Sequence, residues 1–278
     1  MKLSTALFAV LVGTVSALPK PELQPIHLGD GVTLIPRKPG MKIRPVGHRT
    51  SPKLPASESS IAAITNHTHA EYSINWAGAV LLGSYKSVTG TITVPTAKPP
   101  SGGSSSTQYA ASAWVGIDGY TCSSPIIQTG VDVFVKNGAV SYDVWYEWWP
   151  ALSYSFSGFP VSAGDSVTMT VTTSSTSAGT VTLKNNSKGK SVSHSFQGES
   201  VTLCQAEAEW IIEDFQLDGQ FVPFANFGSV TFTRASATAA DGRTVGVSGS
   251  RILDLKKDNK VLTTCSTSGS STVKCTYV

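Results

Sequence analysis

The sequence predicts an all-β domain, a sandwich or barrel, behind a leader. Three observations carry this. SVTGTITVPT, GVDVFV, SYDVWYEWW, DSVTMTVTT, GTVTLKN, SVTFTRA and STVKCTYV alternate at a period of two, as short half-buried strands do. Gly-containing breaks and the Ser/Thr-rich runs at 101–107 and 267–272 separate these segments as loops. No segment of ten or more residues carries a helical apolar stripe. A domain over residues 71–278 is long enough to bury roughly 70% of its unfolded surface, and it shows no repeat or second boundary.

The parts follow in chain order. Residues 1–17 hold one Lys, an apolar run from Ala6 to Val12 and small residues at Val15 and Ala17, the layout of a secretory signal peptide. The chain is therefore expected to be secreted. Residues 18–70 contain eight of the fifteen prolines and neither Cys nor aromatic residues, so they bury little by themselves and read as a basic, Pro-rich propeptide. Seven basic residues against three acidic give this segment +4, and Lys2 adds +1. Thirteen basic against fifteen acidic leave residues 71–278 at −2, which together make the net +3.

Composition excludes several classes. Charged residues make up 14% of the chain, against about 25% in a typical domain, too few and too dilute for a phosphate-binding face. No nucleic-acid partner is expected. After residue 17 no run approaches the roughly 20 apolar residues of a membrane span, so no membrane partner is expected either. His194 is the only histidine after residue 71, and it lies in SVSHSFQG, where alternation makes it a surface or partly packed residue. A His-dependent serine triad and a His/Cys zinc site therefore lack their parts. No metal or cofactor is expected.

Cys122, Cys204, Cys265 and Cys275 form an even set, which in a secreted chain reads as disulfides. Four cysteines allow three pairings. The Ser/Thr/Gly turn between Cys265 and Cys275 favours a clipped hairpin, leaving Cys122 for Cys204. Asn66 in NHT and Asn185 in NNS are N-x-[ST] sequons, candidates for glycosylation.

Carboxylates, amides and aromatics remain. In YDVWYEWWP, Asp143, Trp145, Glu147 and Trp149 share one strand face, and Tyr142, Val144, Tyr146 and Trp148 the other. The first face suits a groove gripping an extended polymer; the plainer alternative is aromatics packed between sheets. In AEAEWIIEDF, Glu209, Ile211, Glu213 and Phe215 share a face. A carboxyl among large apolar residues has its pKa raised and becomes usable for acid/base work. Spacing alone instead favours Glu213 as a solubilising charge at a strand edge.

Six ordered blocks then carry a family resemblance: NWAGAV (75–80), SAWVGIDG (112–119), IIQTGVD (126–132), YDVWYEWWP (142–150), EWIIEDF (209–215) and FANFGSVTFT (224–233). They resemble the glutamic peptidases, or eqolisins, of filamentous fungi. The resemblance implies a sandwich of two curved antiparallel sheets, a concanavalin-like jelly roll, and an acid-acting endopeptidase made as a prepro-protein. Its catalytic Gln falls on Gln128 and its catalytic Glu on Glu213 rather than Glu209. Trp76, Trp114, Asp118, Asp143, Trp145 and Glu147 match residues that line or support the family's cleft. Cys122 with Cys204 matches one family disulfide, and Cys265 with Cys275 resembles another. Three positions depart from the pattern: Tyr120 stands where relatives carry Asp, Trp149 where they carry Tyr, and Glu207 where they carry Asn.

The expected partners are polypeptide substrates and the chain's own propeptide as an intramolecular inhibitor. The +4 segment is expected to lie on Asp118, Asp143 and Glu147 near neutral pH and to be released in acid. The domain is expected to be a monomer. The rival is a secreted carbohydrate-active protein using Glu147 with Glu213, which needs nothing of Gln128; a structural cell-wall protein would hydrolyse nothing.

Overall fold

The computed structural model describes residues 26–27, 33–36, 70–122, 124–217 and 220–278. Residues 1–17, the expected signal peptide, and Asn66 lie outside the described residues. No helix occurs among those described.

Two strands lie in the segment expected to be a leader, β1 (Ile26–His27) and β2 (Thr33–Pro36). The domain opens with β3 (Glu71–Ser73), β4 (Trp76–Leu82), β5 (Tyr85–Thr93), β6 (Tyr109–Ile117) and β7 (Ile126–Lys136). The aromatic block forms β8 (Ala139–Trp149), followed by β9 (Tyr154–Ser157), β10 (Ser166–Ser175), β11 (Ala178–Asn185) and β12 (Lys190–Phe196). The second carboxylate block is β13 (Glu207–Glu213), and a small hairpin follows from β14 (Gln216–Leu217) and β15 (Gln220–Phe221). The chain ends with β16 (Ser229–Ala239), β17 (Thr244–Val245), β18 (Arg251–Lys257), β19 (Lys260–Val261), β20 (Thr263–Ser268) and β21 (Thr272–Tyr277).

Two large sheets result. One runs β1-β2-β9-β8-β7-β6-β13-β4-β18-β19, with β3 beside β18; the other runs β12-β11-β10-β5-β16-β21-β20, with β17 beside β16. The all-β sandwich is as expected, and its pairs are antiparallel apart from β3 with β18. Period-two alternation produces the packing. In β10, Val167, Met169 and Val171 are buried against Val115, Ile117, Ile127, Trp210 and Ile212 of the first sheet, while Thr168, Thr170 and Thr172 face outward. Those outward hydroxyls pair across strands, Thr91 with Thr168 at 2.8 Å and Thr89 with Thr170 at 2.9 Å. The neutral, self-satisfied face explains how the domain does with so little surface charge.

Alternation also gives the first sheet a second apolar cluster on its opposite face, containing Trp76, Trp114, Trp145, Ile211 and Phe215. His194 is half-buried and stacks on Tyr146 with ring centroids 4.1 Å apart, so it is a packed residue of the core side. The disulfides join Cys122 to Cys204 and Cys265 to Cys275.

One expectation needs correcting. Asn185 is fully buried, and its Nδ2 donates to Pro160 O and to Asp165 Oδ2, both at 2.8 Å. An amide consumed inside the fold has no room for a glycan, so the NNS sequon is not an available site in the folded domain.

Candidate active site

Three rows of side chains cross the outer face of the first sheet. The first joins Glu213, Ser112, Asp132 and Asp143 in register, from β13 through β6 and β7 to β8. The second joins Ile211, Trp114, Gly130 and Trp145, and the third Glu209, Gly116, Gln128 and Glu147. Directly opposed residues share a face, so Gln128 and Glu213 project to the same side, on strands separated only by β6.

Glycine makes room for the indoles between them. A Cβ at Gly130 would stand 2.6 Å from Trp114 Cβ and 2.9 Å from Trp145 Cζ2. Without it, both rings lie over the backbone in the middle row. Trp76 meets Trp114 edge-on at 4.7 Å between centroids.

The Glu213 carboxyl is fully buried among these rings, which overturns the strand-edge reading from spacing. Trp114 Nε1 donates to Glu213 Oε2 at 2.9 Å. Burial pushes the Glu213 pKa up to about 8; the Trp114 hydrogen bond works against this, the nearby Asp132 adds to it, and the Trp76 indole opposes it. Gln128 is also fully buried, and its Nε2 donates to Glu147 Oε2 at 2.6 Å. Glu213 Oε1 and Gln128 Oε1 are both buried and accept no hydrogen bond from the described residues. Each group is thus fixed through one atom and keeps another that accepts no hydrogen bond from the described residues.

The neighbouring polar residues are fixed by bonds of their own. Trp145 Nε1 donates to Asp132 Oδ1 at 2.7 Å, and Ser155 Oγ donates to Asp143 Oδ2 at 2.6 Å. Asp118 accepts from the backbone N–H of Gln205 and Ala206 at 2.8 and 2.7 Å. Its carboxyl is fully buried with its pKa pushed up to about 6, mainly by burial, so it supports a loop rather than offering an open anion to the leader. Glu207 returns the arrangement: its Oε1 accepts from Thr121 N at 2.9 Å, from Cys122 N at 3.3 Å and from the Thr121 hydroxyl. The Cys122–Cys204 disulfide lies between these two caps. Tyr120, another departure, donates its hydroxyl to Glu71 Oε2 at 2.5 Å, and Arg251 Nη1 donates to the other oxygen at 2.6 Å.

The chain matches the Peptidase A4 family over residues 74–277. It belongs to that family, the glutamic peptidases. It is 47% identical to aspergillopepsin-2 of Aspergillus niger over 247 residues, covering 83% of this chain and 87% of that one. Scytalidopepsin B of Scytalidium lignicola is 46% identical over 222 residues, covering 77% and 81%. A crystal structure of scytalido-glutamic peptidase with a transition state analog inhibitor superposes with a TM-score of 0.67 at 45% identity, over 73% of this chain and 98% of that one.

A glutamic peptidase is a peptidase, and the carbohydrate-active alternative falls with that assignment. The structure brings Trp76, Trp114, Gln128, Asp143, Trp145, Glu147 and Glu213 to one face of one sheet. Reading by residue type missed Asp132, the acceptor for Trp145. It stands four residues after Gln128 in the same strand, and period two alone would have placed it on that face. It also missed Lys257, whose ammonium reaches the buried Asp214 next to Glu213; Lys257 lies in β18, far along the chain, and nothing local marks it.

Proposed function

We propose that this glutamic peptidase is secreted as a precursor and hydrolyses peptide bonds in acid by direct attack of water, with Glu213 transferring the protons and Gln128 stabilising the oxyanion and positioning the water. One observation carries the reading: on the same face, Glu213 and Gln128 each have one atom held by a neighbour and one buried oxygen that accepts no hydrogen bond from the described residues. Water gives a proton to the Glu213 carboxylate as its oxygen attacks the carbonyl carbon. The second N–H of Gln128, the first being held by Glu147, donates to the oxyanion. Glu213 then returns the proton to the leaving nitrogen as the C–N bond breaks. An amide does not titrate, so Gln128 keeps its donor in acid.

While dry, Glu213 is a neutral acid, because burial raises its pKa to about 8. Entry of the reacting water relieves part of that burial, and the Trp114 N–H favours the carboxylate that remains. The base is therefore formed when the site hydrates. Removal of the leader belongs to the same reading: β2 pairs with β9 beside β8, and the chain leaves Pro36 into the basic Arg37 and Lys38. Asp143 of β8 is only partly buried and is the carboxyl available to such a basic segment, whereas Glu147 is as buried as Asp118 and is held by Gln128. Protonation in acid would weaken the segment's hold.

The test is digestion of a denatured protein across pH 2–7 by acid-treated precursor, with and without pepstatin. Activity confined to acid and insensitive to pepstatin is expected. Glu213→Gln should abolish turnover, and Gln128→Ala should cost at least about 10²-fold. A fully active Glu213→Gln protein would end the reading.

A further inference from the structure

Strand β9 is the last domain strand on its side of the first sheet. Its inner edge pairs with β8, with Trp145 opposite Ser155 and Tyr146 opposite Tyr154. Its outer edge is taken by the leader: Thr33 lies opposite Ser157, Leu34 opposite Phe156, Ile35 opposite Ser155 and Pro36 opposite Tyr154. The seat is fixed to the domain independently of its occupant. Phe156 is buried and packs on Tyr146 at 4.8 Å between centroids, and Ser155 Oγ reaches Asp143. Loss of the leader therefore leaves a row of unpaired backbone N–H and C=O groups on an anchored strand.

We propose that this edge is a docking site for the polypeptide substrate, which takes the place of β2 as an added antiparallel strand. The inference rests on the reading that Gln128 and Glu213 cut peptide bonds. It supplies a site that neither residue provides: one gripping substrate by its main chain, and so indifferent to sequence, as strand addition is. Length selects the occupant. From β2 to Gln128 on β7 there are three strand spacings, about 14 Å. An extended chain crosses that in about four residues. A segment filling all four positions of β9 must then continue about four residues to reach the reacting bond. Long unfolded chains satisfy this and short peptides do not, so the edge favours unfolded proteins over their fragments.

The test uses the mature domain with two substrates sharing one cleavage sequence, a reduced and alkylated polypeptide and a quenched hexapeptide. The competitor is an acetylated, amidated peptide of leader residues 31–36, which lacks Arg37 and Lys38. At saturation it should raise KM for the polypeptide about tenfold, the worth of one or two net backbone hydrogen bonds, and leave its kcat and both hexapeptide constants unchanged. N-methylation at the Leu34 or the Ile35 amide should separate the edge-facing N–H from the outward one, so only one of the two analogues loses the effect. Equal inhibition of both substrates, inhibition of neither, or two analogues as potent as the parent would overturn the proposal. Absence of hydrolysis of either substrate without competitor would count against the catalytic reading instead. In that case anisotropy of the labelled peptide decides the docking site by itself, and absence of binding to the domain overturns it.

Discussion

Gln128 donates its amide to Glu147 over 2.6 Å, between directly opposed positions of β7 and β8. The bond determines which end of the amide faces which way: Nε2 points along the row to β8, leaving Oε1 and the second N–H for the reaction proposed above. Glu147→Leu removes the acceptor and lets the amide turn. The expected result is a fall in kcat of about tenfold or more with a smaller change in KM, because orientation in the transition state is lost rather than substrate contact. Glu147→Gln retains an acceptor oxygen and should recover much of kcat. Steady-state kinetics on one peptide decides this, and equal losses in the two variants would show that charge matters rather than orientation.

Trp114→Phe keeps the ring over Gly130 but deletes the N–H that favours the ionised Glu213. A lost donor to the charged form raises the pKa. The acid limb of the kcat/KM profile, where Glu213 becomes a base, should therefore move to higher pH and the acid optimum should shrink. A limb that stays in place would mean that Glu213 is not the group reported.

How much of this was legible in the sequence follows from the range of each signal. Alternation is local, so SYDVWYEWW correctly separates Tyr146 and Trp148, which face the core, from Trp145 and Glu147, which face the site. The packing reading holds for the face carrying Tyr146 and Trp148, which lies in the core between the sheets. Sheet order is not local. Strand β13 inserts between β6 and β4, more than ninety residues away, and that insertion buries Glu213 and brings it near Gln128. Without it, Glu213 reads as an edge charge. The same limit hides Lys257 behind Asp214 and the leader on β9, each a pairing between segments with no local mark. Asn185 failed for a different reason: a sequon is a pattern of residue types, and burial decides whether the amide is available.

Stability should fall as pH rises. Burial raises the pKa of Glu213 to about 8 and those of Asp118, Asp214 and Asp254 to about 6, and holds that of Glu209 well above the usual carboxylate range. The folded state therefore binds more protons than the unfolded one, and unfolding releases them. Their contribution is complete below the ordinary carboxyl pKa. It is lost as pH climbs through about 6 for the aspartates and on to about 8 for Glu213, at roughly 1.4 kcal/mol per pH unit for each group still protonated. Melting temperatures from pH 3 to 8 should decline, and Glu209→Gln, whatever its starting stability, should show a shallower decline. An unchanged slope in that variant would mean Glu209 ionises within the fold.

Lys257 provides the opposite dependence locally. Its ammonium pairs with the buried Asp214 carboxylate and lies 3.2 Å from the Phe221 ring centroid, tying β18 to the end of β13 just after Glu213. Lys257→Met keeps most of the packing and removes the charge. At pH 7 Asp214, with its pKa near 6, is largely ionised in the native protein, so the variant must either protonate it or bury it unpaired, at a cost of about 3 kcal/mol. At pH 4 Asp214 is protonated in both proteins and most of that cost vanishes. Urea unfolding at the two pH values measures the difference directly. A penalty as large at pH 4 as at pH 7 would show that the lysine acts through packing and its contact with Phe221, not through Asp214.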